Sequence, residues 1–398
     1  MNPGLKSNRI AMLAGWIGLS SALWLSFLTL KPNRLAAGRV VRILEIGPEF
    51  SVLLVLMTLV LIFGWTNLRL RGLALLVLGS LWLILDLLLI DLGARRLLSN
   101  AGEIARVSLG SAGWLGLLTS LMVLFAARRD LEALRPQRRL SWTVWIAPTL
   151  AIGIVVLGGI SSLSVMREYA ANADTFAARL LEHIALAGTA LGLSMVIAVP
   201  LGVWATRSAA IGRVVLGISS ALQTIPSIAL LTILIAPFSG LARAFPALEA
   251  IGVRGIGMAP ALTALTLYGL LPIVRGTFNG LRSVPAAALE AGSGMGMTGR
   301  QRFWRVELPL ALPLLLSGVR TGAVSLVGLA TLSSLVGAGG LGAFIFAGLG
   351  GAAFDQVLLG ALPVLALAVV TDTVFAGLER LGVPHGLRES PSIKLGAA

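Results

Sequence analysis

The sequence predicts an all-α polytopic membrane protein of about ten transmembrane helices, and three observations predict it. The 398 residues are 57% hydrophobic and only 12% charged, about half the charged fraction of a soluble domain. Apolar stretches of about 20 residues, the length that crosses a bilayer, recur along the chain. Basic residues gather in the short connections between those stretches. Such a chain could not cover its apolar surface in water, so a soluble enzyme, a disordered chain or a secreted disulfide scaffold fits poorly. There is no Cys, which removes a disulfide framework, a thiolate metal site and a Cys nucleophile. His183 and His385 are far apart in sequence and make no zinc site between them. The excess of 31 Lys+Arg over 17 Asp+Glu marks cytoplasmic loops rather than nucleic-acid binding.

In chain order the apolar stretches are 10–30, 51–66, 72–92, 108–127, 143–164, 181–204, 212–236, 257–275, 310–335 and 356–377. The first follows Lys6 and Arg9 but is longer than a signal core, so it is expected to be a retained helix. Arg128, Arg129, Arg135, Arg138 and Arg139 follow the fourth span and place that loop in the cytoplasm. Arg282, Arg300, Arg302 and Arg305 do the same after the eighth span, Arg207 and Arg213 after the sixth, and Arg380, Arg388 and Lys394 in the tail. The connection after span nine has no Lys or Arg and is expected outside. Ten spans then put both termini in the cytoplasm. Lys31, Arg34, Arg39 and Arg42 lie on the expected outer side and oppose this pattern.

Two regions are expected, an accessory transmembrane region over 1–168 and a second region over 169–398, with Met166–Asp174 as the hinge. Seven of the nine Trp residues precede the hinge: Trp16, Trp24, Trp65, Trp82, Trp114, Trp142 and Trp145. They read as interfacial anchors. After the hinge, Pro200, Pro226, Pro272 and Pro309 punctuate the spans, the pattern of helices that line a water-filled path. Asp86, Asp91 and Asp372 lie within or near spans. Asp86 is expected to pair with an Arg, mark a cavity or hydrogen-bond a neighbouring helix, while Asp91 and Asp372 reach water. His183 is expected to cap or pack.

The stretch between spans eight and nine is the most informative. Ala286, Ala287, Ala288, Ala291 and Gly292 allow a short helix to approach another surface closely, and Glu290 adds one fixed charge. Gly296 permits a sharp bend, the arginines follow, and Pro309 suits the first turn of the next helix. Together they predict a two-helix elbow offered to a cytoplasmic partner. The spacing Glu290-Ala291-Gly292, Gly296, Val306, Leu308-Pro309 resembles the EAA loop of permease subunits of binding-protein-dependent ABC importers. Gly292 stands where a third Ala is usual. Three further stretches, 223–230, 267–275 and 335–342, resemble segments of glycine betaine, carnitine and choline importers; methionine and phosphonate permeases carry cousins of the third.

The resemblance covers about residues 175–380. It implies a five-helix type I importer permease core, preceded here by about five accessory helices as in the longer permease of some osmoprotectant systems. It implies that Glu290, Ala291, Gly292, Gly296, Leu308 and Pro309, in the loop near 285–309, couple to an ATPase. The chain has three lysines and no phosphate-binding loop, so ATP and Mg are expected on a cytoplasmic ABC ATPase dimer, with no cofactor on this chain. The other implied partners are a second permease subunit (a shorter relative or a second copy), an external substrate-binding protein and the bilayer of the bacterial cytoplasmic membrane. Thr224, Pro226, Ser227, Tyr268, Thr331, Ser333 and Ser334 are candidates for the translocation path. Few aromatics follow the hinge, so no tight cage for a quaternary ammonium is expected here. The alternatives are a permease for a methionine- or phosphonate-like solute and an ion-coupled secondary transporter.

Overall fold

The structure, a computed structural model, describes residues 7–33, 36–68, 70–102, 104–133, 143–250 and 252–382. Lys6, Arg34, Arg135, Arg138, Arg139, Trp142, His385, Arg388 and Lys394 lie outside them. The chain forms two compact units, Met1–Ala171 and Asn172–Ala398.

Unit 1 contains α1 (Arg9–Trp24), β1 (Leu28–Lys31), β2 (Arg39–Val41), α2 (Ile43–Ile46), α3 (Ser51–Trp65), α4 (Arg71–Ser99), β3 (Arg106–Leu109), α5 (Ser111–Ala133), α6 (Ile146–Val156) and α7 (Ser164–Ala171). Asn8 starts α1 by accepting the Ala11 N–H at 3.1 Å, and its amide donates to the Ala126 carbonyl at 3.2 Å, tying α1 to α5. Arg71 grips Asp130 with two hydrogen bonds of 2.6 and 2.9 Å, locking the start of α4 to the end of α5. The strands form one antiparallel sheet in the order β2-β1-β3. They add to the helical fold a feature that the basic 31–50 stretch did not suggest.

Several expectations for unit 1 change. Span five contracts to α6, whose 11 residues rise about 16 Å, too short to cross a bilayer core of about 30 Å. Part of the expected hinge is α7, held to the unit by the Arg106–Glu168 ion pair and by Arg167 donating to the Ala105 carbonyl at 2.9 Å. Trp16, Trp24, Trp65 and Trp145 are exposed, but Trp82 is fully buried. Its ring lies against Gly18, where a Cβ would come within 2.6 Å of it, so a missing side chain on α1 makes the room. Asp86 is fully buried beside Gly116, and neither of its oxygens has a partner among the described residues. Asp91 pairs with Arg95 at 2.6 Å.

Unit 2 contains α8 (Ala173–Ala205), α9 (Ala209–Thr224), α10 (Ser227–Ala244), α11 (Pro246–Ala250), α12 (Met258–Arg282), α13 (Ala286–Gly294), α14 (Gly299–Arg302), α15 (Leu308–Leu329), α16 (Gly342–Gly350) and α17 (Phe354–Gly382). Expected span seven is two helices. Pro226 cannot donate to the preceding turn and holds Ile225 extended, which ends α9 before α10 begins. Eight helical segments across the described residues are long and apolar enough to span a membrane; α1, α6 and α9 are shorter.

At the centre of unit 2, α12 crosses α15. A Cβ on Gly276 would come within 2.7 Å of the Gly318 backbone, so only two glycines allow this approach. Arg320 on α15 makes two hydrogen bonds of 2.7 and 2.8 Å to Asp372 on α17 and reaches Glu379 at 3.4 Å. Asp372 is therefore paired across the helix interface while its side chain stays partly exposed. His183 packs in the interior with Nε2 at 3.0 Å from the Val327 carbonyl.

Candidate functional site

The elbow between α12 and α15 is built from local signals. Proline 285 precedes the first residue of α13, and Gly296, at φ +74°, turns the chain out of that helix. The Met297 N–H then donates to the Gly292 carbonyl at 3.1 Å. Thr298 caps α14 reciprocally: its Oγ1 accepts the Gln301 N–H at 3.3 Å, and Gln301 Oε1 accepts the Thr298 N–H at 2.9 Å. Arg302 closes the elbow by donating to Ser293 Oγ at 3.0 Å and to Glu307 Oε1 at 3.1 Å.

Pro309 stands in the first turn of α15, as expected. One helical run extends over Gly299–Val336, and a π turn at Phe303–Glu307 precedes the proline. Pro309 has no N–H for the Arg305 carbonyl, and the wider turn absorbs that break. Leu308 and Pro309 are half-buried, while Glu290, Ala291 and Gly296 are exposed and Gly292 is buried. A Cβ on Gly292 would meet Arg302, Met297 and Val306 at 3.5–3.6 Å, ordinary contact distances. Glu290 has no ion pair or hydrogen bond to a described residue. Met295 and Trp304 are exposed on the elbow too, as are Arg300 and Arg305, so its surface combines charges with large apolar groups.

The path candidates fall into two places. Thr224, Pro226 and Ser227 sit at the α9–α10 junction, where the Tyr268 hydroxyl donates to the Ile225 carbonyl and Gln223 donates to the Tyr268 carbonyl at 3.0 Å. Ser227 and Tyr268 share a small apolar recess. Thr331, Ser333 and Ser334 lie on a 3-10 turn, Ala330–Val336, that follows α15. Thr331 and Ser334 donate to the carbonyls of Gly328 and Thr331 at 2.8 and 3.0 Å. Ser333 is fully buried, so no solute can touch it in this conformation. The glycine run after this turn folds back on α8, where the Gly340 N–H donates to Glu182 at 2.9 Å.

The Arg302–Ser293–Glu307 clamp was not legible as a site. Its signal in the sequence was the basic run at 300–305, but the π turn that sets the Arg302–Glu307 spacing has no clear sequence mark.

Comparison with known proteins covers both units. Residues 198–381 match the family described as binding-protein-dependent transport system inner membrane component. Residues 8–166 match the N-terminal domain of ABC transporter permease YehY. The osmoprotectant import permease protein OsmW of Salmonella typhimurium is 40% identical over 217 residues, 54% of this chain and 96% of that protein. The glycine betaine/carnitine/choline transport system permease protein OpuCB of Bacillus subtilis is 40% identical over 207 residues, 52% of this chain and 88% of that protein. A solved inward-facing structure of the MetNI methionine ABC transporter aligns with a TM-score of 0.45 and 25% identity, over 52% of this chain and 96% of that one. The chain thus belongs to the binding-protein-dependent transport system inner membrane component family, as a membrane-embedded permease subunit of an ABC importer that works with a separate ATPase and a substrate-binding protein.

Proposed function

We propose that this permease imports a small osmoprotectant of the glycine betaine/choline type, delivered by an external binding protein. The observation that carries this reading is the 40% identity to osmoprotectant permeases along nearly their whole length. In this reading the exposed face of the elbow docks into a groove of a cytoplasmic ATPase dimer, which holds the ATP and Mg. Glu290 supplies the charge, Ala291 the close approach, Gly292 the packing of α13 against the rest of the elbow, and Gly296 the bend. Leu308 and Pro309 root the elbow in the spanning run. Closure of the ATPase on ATP pushes the elbow and swings the helices attached to it, and hydrolysis resets them, which is alternating access by rigid-body movement.

The solute passes between this chain and a second permease subunit, near Thr224, Pro226, Ser227 and Tyr268, with Thr331 and Ser334 closer to the outer end. Arg207, Arg213, Arg282, Arg300, Arg302, Arg305 and Arg380 favour the cytoplasmic side for the elbow and both termini, in a bacterial inner membrane. Residues 1–168 act as an accessory region to the permease domain.

The test is uptake into liposomes containing this chain, its ATPase and its partner permease, with the binding protein added outside. Accumulation of glycine betaine that needs ATP and is indifferent to a proton or sodium gradient is expected. Accumulation driven by a gradient without ATP would overturn the reading.

A further inference from the structure

Unit 2 has a groove of about 390 Å³ between α9, α12 and α15. Its polar lining comes from Gln223, Arg275, Asn279, Ser317, Thr321 and Ser325. The three hydroxyls recur every fourth residue on α15, so they form one stripe along the helix. Arg275 lies within the apolar helix α12 and is exposed to the groove. Its one recorded partner is Ser220 Oγ, at 3.2 Å, and no carboxylate of the described residues pairs with it. Arg320, in the neighbouring span, is instead held by two carboxylates.

A guanidinium within a spanning helix is costly unless it faces water, a partner or a ligand. Its planar fork matches a carboxylate in two parallel hydrogen bonds, and it repels a cation. The amides and hydroxyls around it offer partial negative charge to the other end of a dipolar solute. The groove lies at the small end of the volumes that hold small ligands, and its open shape suits passage rather than tight capture.

We infer that Arg275 reads the carboxylate of a zwitterionic solute in this groove, so that the path favours betaine-like cargo over carboxylate-free cations such as choline. This rests on the import reading above and narrows its substrate class.

The chain has no cysteine, so Thr321→Cys places a single reporter thiol in the groove. The full complex with ATPase and partner permease, free of other reactive thiols, is reconstituted and treated with a hydrophilic maleimide. Glycine betaine should slow labelling roughly tenfold when present at about ten times its Kd. Choline at the same concentration should not. Arg275→Gln should weaken binding by about tenfold, as expected for losing charged hydrogen bonds, and so cut protection at that concentration to about twofold, while Arg275→Lys should retain more of it.

Equal protection by choline, unchanged protection in Arg275→Gln, or a thiol unreachable at both position 321 and Ser325→Cys would overturn the inference. So would separation of the permease pair by Arg275→Gln, since the arginine would then belong to a subunit contact. Protection without ATP-driven uptake would defeat the import reading alone. Uptake without Arg275-dependent protection would defeat this inference alone.

Discussion

The two units solve the problem of packing apolar helices in different ways. Among the described residues, the fully buried aromatic side chains Trp82, Phe27 and Phe50 all lie in unit 1, whereas the large fully buried side chains of unit 2 are aliphatic: Leu186, Ile273, Leu326 and Leu341. Unit 1 therefore fills its interior with volume: Trp82, Phe27, Phe50 and large aliphatic residues. Unit 2 brings backbones together at Gly276 and Gly318 and leaves its outer helices open. Only 11% of the most apolar window of α10 and 17% of that of α17 are buried, against half in α4 and α5. A unit filled by large side chains is held in one arrangement by their shape. A unit whose central helices touch through glycine has fewer interlocking side chains to break when helices move, and it keeps surfaces free for lipid or for partners. That is the division expected between a stable accessory region and a moving permease core.

The largest effect should come from emptying unit 1. Trp82→Ala removes a ring packed against Gly18 and is expected to cost about 3–5 kcal/mol, the usual range for a buried Trp. Thermal unfolding of the purified protein in detergent reads it. Leu186→Ala in unit 2 should cost less, because the helices around it are more open. An equal or larger loss there would break the contrast between the units.

The next effect is functional and confined to unit 2. Glu290→Lys reverses the exposed negative charge of α13 in the elbow. Uptake is expected to fall by at least about tenfold, since a reversed charge at a docking surface costs of order 1.4 kcal/mol or more. The melting temperature should stay at the wild-type value, because Glu290 is exposed and makes no hydrogen bond or ion pair to a described residue. A stability loss matching that of Trp82→Ala would place Glu290 in the packing rather than at a docking face.

A smaller effect should follow Arg302→Ala, which removes the hydrogen bonds to Ser293 and Glu307 that close the elbow. The expected cost is about 1 kcal/mol, with uptake reduced a few-fold and proteolysis of 286–307 accelerated. Unchanged proteolysis would show that the capping box and the π turn hold the elbow without the clamp.

How much of this was legible in the sequence depends on the range of the interactions. The long spans were legible because about 20 apolar residues in a row mean the same thing wherever they pack. The elbow was legible because Gly296, the helix-forming run at 286–294 and the basic turn lie within one another's reach along the chain. The break in span seven was half-legible: Pro226 was visible, but a proline within an apolar run marks either a kink or a helix end, and neighbours decide. Trp82 was misplaced because its burial depends on Gly18, 64 positions earlier. Arg320 and Asp372 are 52 residues apart, and the groove lining comes from three separate helices. Pairings of that kind are properties of the packed unit, which no local spacing contains.

The smallest prediction addresses the one departure from the coupling-loop pattern, and it separates shape from stiffness within unit 2. Gly292 is buried, yet a Cβ there would meet its neighbours only at ordinary contact distance. Its backbone is helical within α13, so alanine needs no strained angle. Gly292→Ala should therefore stabilise the elbow helix by up to about 1 kcal/mol, the propensity difference between the two residues. If the elbow works as a rigid lever, uptake should stay level or rise slightly while proteolysis of the elbow slows. If it must flex at Gly292 to follow the ATPase, uptake should fall even though the helix is more stable. The second result would mean that glycine is used in unit 2 for bending as well as for close approach, and the contrast with the volume-filled unit 1 would then extend to motion.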